Sequence, residues 1–211
     1  MQQSPLQASP SPAPAPSPVA PHFIEAYPGA LAPEQCRAII ERFNADPRRF
    51  PSRSHTSLTP VIRTGTMINA IELPDWHDVV ELVEATIRRH VAQYAEKYVA
   101  FQNIANPNAS IVSPPVLERI DPGQGYGYHV DAGQFGTHHR MLHCLIYLAD
   151  VAEGGYTEFP YQSVRIPPRA GLLILFPPFW THPHRGVSPV SNAKYNISNF
   201  VTLKPKAIAT S

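Results

Sequence analysis

From about Ile111 onward the chain is a succession of short apolar or alternating runs broken by Pro, Gly and Asp. The runs are Val116–Ile120, Tyr126–Asp131, Met141–Leu148, Tyr156–Phe159, Ser163–Ile166, Gly171–Phe176, Thr181–Gly186 and Lys194–Leu203. No helical period links them. Proline fixes φ and removes a backbone donor, so it is kept out of helix interiors and central strands. A helical bundle and a coiled coil are thereby excluded. Short strands at close spacing with turn residues between them predict a closed or sandwiched antiparallel fold, and eight of them match a jelly roll.

The rest of the chain divides into a tail and two helices. Seven of the 25 prolines lie within residues 1–21, where Leu6 and Val19 are the only large aliphatic residues. Such a segment cannot bury enough surface to offset its chain entropy, which predicts a disordered Pro/Ser/Ala-rich tail with polyproline II character. Residues 22–211 are then a single domain, of a size that can bury a full core. Leu31–Asn44 reads as a helix with Pro33 in its first turn and Cys36, Ile39, Ile40 and Phe43 on one face. Asp75–Tyr98 reads as a longer one, with Asp75 as cap and a stripe from Val79 to Tyr98. The predicted fold class is mostly β with flanking helices (α+β), a double-stranded β-helix of the jelly-roll or cupin-like kind preceded by two helices.

Charge narrows the partners. Lys+Arg number 17 against Asp+Glu 16, a net charge of +1 with no block of one sign. That gives no electrostatic footprint for nucleic acid or an anionic membrane. No apolar run approaches a membrane span. With no visible secretory signal and only Cys36 and Cys144, a reduced, cytoplasmic setting is expected.

The chemistry concentrates in Gly123–Tyr147. His129 and Asp131 stand two apart on a strand-like run, so their side chains point to the same face. A histidine from a neighbouring strand would complete two imidazoles and one carboxylate on one face of a metal, an arrangement that suits non-haem Fe(II) and leaves coordination positions open. Two histidines, His182 and His184, lie downstream in FPPFWTHPHRG. They also share a face by alternation, so periodicity does not choose between them.

The order of motifs resembles the Fe(II)/2-oxoglutarate dioxygenases, in particular the prolyl 4-hydroxylase-like family. Gly123, Tyr126, His129 and Asp131 stand at that family's spacing. Arg140 leads a strand to Tyr147. Gly154-Gly155-Tyr156-Thr157-Glu158-Phe159-Pro160 follows, then Gly171–Phe176, the two histidines and Lys194. The resemblance spans about Phe23 to Val201. Ile120 departs from it, since relatives often carry an aromatic there.

The resemblance implies specific roles. The interval of 10 from His184 to Lys194 favours His184 as the distal metal ligand. The implied metal and catalytic set is His129, Asp131 and His184, with His182 left either behind the ligands or on the substrate side. Lys194 supplies a point charge for the distal carboxylate of 2-oxoglutarate, with Tyr147 contributing a hydroxyl. Asn196 and Ser198 share the Lys194 face, and Ser198 is a further candidate for that pocket. Tyr126 and Arg63 are candidates for the substrate side. His143 shares a face with Tyr147 and reads either as pocket lining or as a hydrogen-bonded core residue, the latter preferred. The implied cofactors are Fe(II), 2-oxoglutarate and O2, with ascorbate as reductant. The implied reaction hydroxylates a C–H bond of a peptidyl proline or small molecule, releasing succinate and CO2. Two other classes stay open on the residues alone. One is a cupin-like metal-binding protein without oxygenase activity. The other is an interaction protein that uses its proline-rich tail.

Overall fold

The computed structural model describes residues 22–52, 64–133 and 136–204. The tail 1–21 and Arg63 lie outside them. In chain order the strands are β1 (Glu25–Tyr27), β2 (Phe50–Ser52), β3 (Gly65–Asn69), β4 (Ser110–Val112), β5 (Val116–Ile120), β6 (Arg140–Tyr147), β7 (Thr157–Phe159), β8 (Val164–Ile166), β9 (Leu173–Phe176), β10 (Arg185–Gly186) and β11 (Lys194–Leu203). Helices α1 (Pro33–Ala45), α2 (His77–Lys97) and the short α3 (Gln102–Ala105) fall before β4.

The strands form two antiparallel sheets. The major sheet runs β1-β9-β6-β11-β5-β3-β2, and β4 pairs with the far end of β11 beyond β5. The minor sheet runs β10-β7-β8. The long strand β11 is the spine. It pairs with β6 on one side from Asn196↔Tyr147 onward, and with β5 on the other from Lys194↔Ile120.

Alternation along these strands builds two cores. Leu142, Cys144 and Ile146 of β6, Leu173 and Leu175 of β9, Leu117 of β5 and Ile197 of β11 join α1 and α2 on one face of the major sheet. The helices contribute Cys36, Ile39 and Phe43, and Val79, Val83, Ile87 and Val91, which are the stripes read from the sequence. The intervening residues Leu145, Tyr147, Ile174 and Phe176 face the opposite way and pack with Phe159 and Ile166 of the minor sheet. Each fully buried aliphatic side chain contributes on the order of 2 kcal/mol. A one-residue slip would exchange the two faces, so register is strongly specified.

Several expectations are corrected. The strands β1 to β4 were not foreseen, because their pairing partners rather than their own periodicity make them strands. β2 even contains Pro51, which is tolerated because among the described residues β2 ends the sheet and has no neighbour on its outer side. Asp75 does not cap α2. The cap position is Trp76, without a side-chain bond, and Asp75 instead pairs with Arg48 at 2.6 Å. Neither Tyr126–Asp131 nor Thr181–Gly186 is a continuous strand. Their regular pairing is limited to the bridge His129↔His184 and the two residues of β10. Pro177, Pro178 and Pro183 lack donors and break the second run.

One glycine is demanded by this packing. Gly171 sits at φ +76°, and a Cβ there would lie 2.1 Å from the Leu31 carbonyl oxygen. It ties the start of β9 to the segment before α1.

Candidate active site

Two irregular segments are stitched together at one end of the barrel. The Tyr126 N–H donates to Gly186 O at 3.0 Å, and the His129 and His184 backbones exchange bonds of 2.9 and 3.0 Å. The Asp131 and Ala132 N–H groups both donate to Pro178 O at 3.0 Å. His129, Asp131 and His184 are thereby brought together from either side of β6–β9.

Each residue of this trio offers a ligand atom, and these atoms all lie within 4.8 Å of one another. His129 Nε2 is 3.4 Å from Asp131 Oδ1, and His184 Nε2 is 3.3 Å from Asp131 Oδ2. The tautomers follow from the outer nitrogens. His129 Nδ1 donates to Gly127 O at 2.9 Å, and His184 Nδ1 donates to His182 O at 3.1 Å. Both imidazoles then carry the lone pair on Nε2, the form a metal requires.

Electrostatics agree with that chemistry. Burial pulls His184 down to about 3, so its ring is neutral. For Asp131, burial alone would raise the carboxyl. The histidines around it outweigh burial and hold it well below the usual carboxylate range. Two imidazoles, that of His184 neutral, and one carboxylate fit a divalent iron site of the two-histidine, one-carboxylate kind.

The trio opens onto a pocket of about 80 Å³, whose lining includes Lys194, Asn196, Glu118, Thr157 and Tyr126. Lys194 begins β11 and is only 3% exposed. Burial lowers it from 10.5 to about 8, while the charge of Glu118 acts in the opposite sense. Its Nζ stands 5.1 Å from the centre of the Tyr147 ring, a cation–π distance. The Tyr147 hydroxyl is 2.6 Å from Thr157 Oγ1, and burial keeps the phenol protonated. A buried ammonium on the wall of the pocket that holds the trio is suited to a carboxylate of a bound small acid.

The other residues read from the sequence fall in different places. Ser198 lines the pocket, and its hydroxyl meets His143 Nε2 at 2.9 Å. The same ring donates from Nδ1 to Asp131 Oδ2 at 2.8 Å. His143 is therefore both pocket lining and a hydrogen-bonded residue, and Ser198 reaches Asp131 through it. Tyr126 lines the pocket, its ring 6.0 Å from that of His129. His182 stands behind a ligand, its carbonyl accepting from His184 Nδ1, and does not line the pocket. It is buried away from the pocket, with Nε2 donating to His22 O at 2.8 Å. Alternation had placed it with His184, but the turn at residues 179–182 removes that relation. Arg63 falls outside the described residues.

Two pocket residues went unassigned from sequence. Glu118 is buried on β5, and its charge bears on Lys194. The signal was available: it shares a face with Ile120 inside an apolar run, where an acidic residue has no packing reason to be. Asn196 was placed on the Lys194 face without a role. Its Oδ1 is buried with no hydrogen-bond partner among the described residues, and a buried amide in that state is costly unless a ligand meets it.

Comparison with known proteins agrees with the motifs. Residues 116–202 match the family model of the 2OG-Fe(II) oxygenase superfamily. No curated protein matches the chain. Among solved structures, a viral collagen prolyl hydroxylase from Paramecium Bursaria Chlorella virus-1 is 19% identical, with a TM-score of 0.64 over 85% of this chain and 95% of that one. A Pseudomonas putida prolyl-4-hydroxylase is 14% identical, with a TM-score of 0.61 over 88% and 95%. A Trichoplax adhaerens prolyl hydroxylase, in complex with a hypoxia inducible factor oxygen degradation domain peptide fragment, is also 14% identical, with a TM-score of 0.61 over 86% and 84%. At these identities the likeness is one of fold, the double-stranded β-helix. The matched family model is that of the family whose motif order the sequence resembles.

Proposed function

We propose that this chain, whose barrel carries the 2OG-Fe(II) oxygenase pattern over residues 116–202, hydroxylates a peptidyl proline, with a small molecule as the second substrate class. The observation that carries the reading is the joint presence, in one pocket, of the His129–Asp131–His184 trio and the buried Lys194. A metal-binding barrel without oxygenase activity has no use for that lysine. The prolyl substrate is favoured by the three structural neighbours, which are prolyl hydroxylases, one of them bound to a peptide.

On this reading His129, Asp131 and His184 hold Fe(II). Bound iron with 2-oxoglutarate and O2 supplies the oxidising chemistry that turns C–H into C–OH, with succinate and CO2 released. The protein contributes position and exclusion of water. Lys194 pairs with the distal carboxylate of 2-oxoglutarate, and Thr157 lines the wall beside it with its hydroxyl held by that of Tyr147. His143 fixes the Asp131 carboxylate from behind. Tyr126 borders the side from which substrate enters. Ascorbate serves to keep iron reduced.

The test is turnover of the Fe(II)-loaded protein with 2-oxoglutarate, O2 and ascorbate, against proline-containing peptides and a small-molecule panel. Succinate and a gain of one oxygen atom in a substrate are expected. Iron binding without 2-oxoglutarate binding would favour a non-oxygenase barrel instead. A chain lacking residues 1–21 is expected to keep its turnover, whereas an interaction protein working through that tail would lose its function.

A further inference from the structure

We propose that Glu158 is a positioning residue that sets the geometry of the two histidines in the candidate metal site, a proposal that rests on reading His129 and His184 as ligands. Glu158 occupies the centre of β7. Its neighbours Thr157 and Phe159 face the pocket and the inter-sheet core, so Glu158 faces the opposite side. An acidic residue there would ordinarily be solvated, yet it is buried.

What covers it explains the role. Glu158 Oε2 accepts from the Tyr128 hydroxyl at 2.7 Å and from Arg185 Nε at 2.6 Å. Oε1 accepts from Arg165 Nε at 2.6 Å. The Arg185 guanidinium also lies 4.7 Å from the centre of the Tyr128 ring. Tyr128 immediately precedes His129, and Arg185 immediately follows His184. One carboxylate oxygen therefore grips a chain neighbour of each histidine, while the two histidines are themselves joined backbone to backbone.

The need for such a grip is physical. Among the described residues no regular ladder joins these segments: the bridge His129↔His184 and single bonds from the Tyr126, Asp131 and Ala132 N–H groups hold them, and Pro178 and Pro183 supply no donors. Binding sites must be held to about 0.5 Å, and ordinary loops do not achieve that. Charge-assisted bonds from Arg185 and Tyr128 to a common acceptor do. Removing outer partners of metal ligands typically weakens metal binding by about 10–100-fold.

The experiment titrates Co(II) into the full chain, read by its visible absorption bands and by calorimetry, with circular dichroism as the check of folding. Glu158→Ala is expected to bind Co(II) about tenfold more weakly, with altered band shape, and Glu158→Gln to fall between it and wild type. Arg165→Gln is expected to match wild type, because Arg165 holds the same carboxylate without adjoining either histidine. A folded Glu158→Ala with wild-type affinity and bands would overturn the proposal. Should that variant not fold, Tyr128→Phe decides: a severalfold weaker affinity supports the proposal, and an unchanged one overturns it. Failure of wild type itself to bind Co(II) would overturn the ligand reading, and with it this proposal, which separates the two.

Discussion

Replacing Lys194 by Met should make the protein more stable and, on the reading proposed above, unable to bind 2-oxoglutarate. The side chains are similar in length, so the change removes charge with little change of volume. Each pH unit of pKa displacement corresponds to about 1.4 kcal/mol, so the fall from 10.5 to about 8 means that the charged lysine costs the fold about 3 kcal/mol at pH 7. The sign follows from linkage. A lysine depressed in the folded state penalises folding below its folded value, and the penalty vanishes as pH rises through its unfolded value. Lys194→Met should therefore gain about 3 kcal/mol at pH 7, or about 6–12 °C in Tm, with the advantage shrinking between pH 8 and 10.5. The assay is thermal unfolding of both proteins across that pH range, each with and without Mn(II) and 2-oxoglutarate. In wild type, 2-oxoglutarate at about a hundredfold excess over its Kd should add about 2.7 kcal/mol. In the variant it should add nothing beyond the metal. A variant less stable than wild type at pH 7 would refute the desolvation reasoning. One that 2-oxoglutarate still stabilises fully would refute the assignment of Lys194 to the cofactor.

Other outcomes separate the roles around the pocket. His184→Ala should lose bound Co(II) while His182→Ala keeps it, by metal analysis after gel filtration, since only His184 reaches Asp131. His143→Thr should weaken Co(II) binding by about 10–100-fold with the fold intact, because Asp131 loses the donor behind it. Gly171→Ala should lower stability by more than about 2 kcal/mol in urea unfolding, since it combines a positive φ with a clash against the Leu31 carbonyl.

The division between what was legible and what was not follows the range of the forces. Period-two alternation along Met141–Leu148 and Lys194–Leu203 is a local record of two-sided burial, and the structure sorts those residues onto two faces as expected. The apolar stripes of α1 and α2 were legible for the same reason. Short strands such as β1 and β2 were not, because their pairing partners rather than their own residues make them strands. Asp75 failed as a cap because Arg48 competes for it through space.

The site divides in the same way. His129 and Asp131 could be picked out by type and spacing, whereas Lys194 and the Gly-Gly-x-Thr-x-Phe-Pro run stood out through their resemblance to a family. The choice between His182 and His184 rested in the sequence on an interval borrowed from a family. In the fold it rests on a turn at 179–182 that points one ring at His22 and the other at Asp131. Glu118, Asn196, His143 and Glu158 acquire their meaning only from residues distant in the chain. Local pattern was enough to specify a turn-rich barrel with helices packed on it and to single out candidate ligands. Which polar groups share one buried space was settled by packing, because burial and mutual distance are properties of the folded chain.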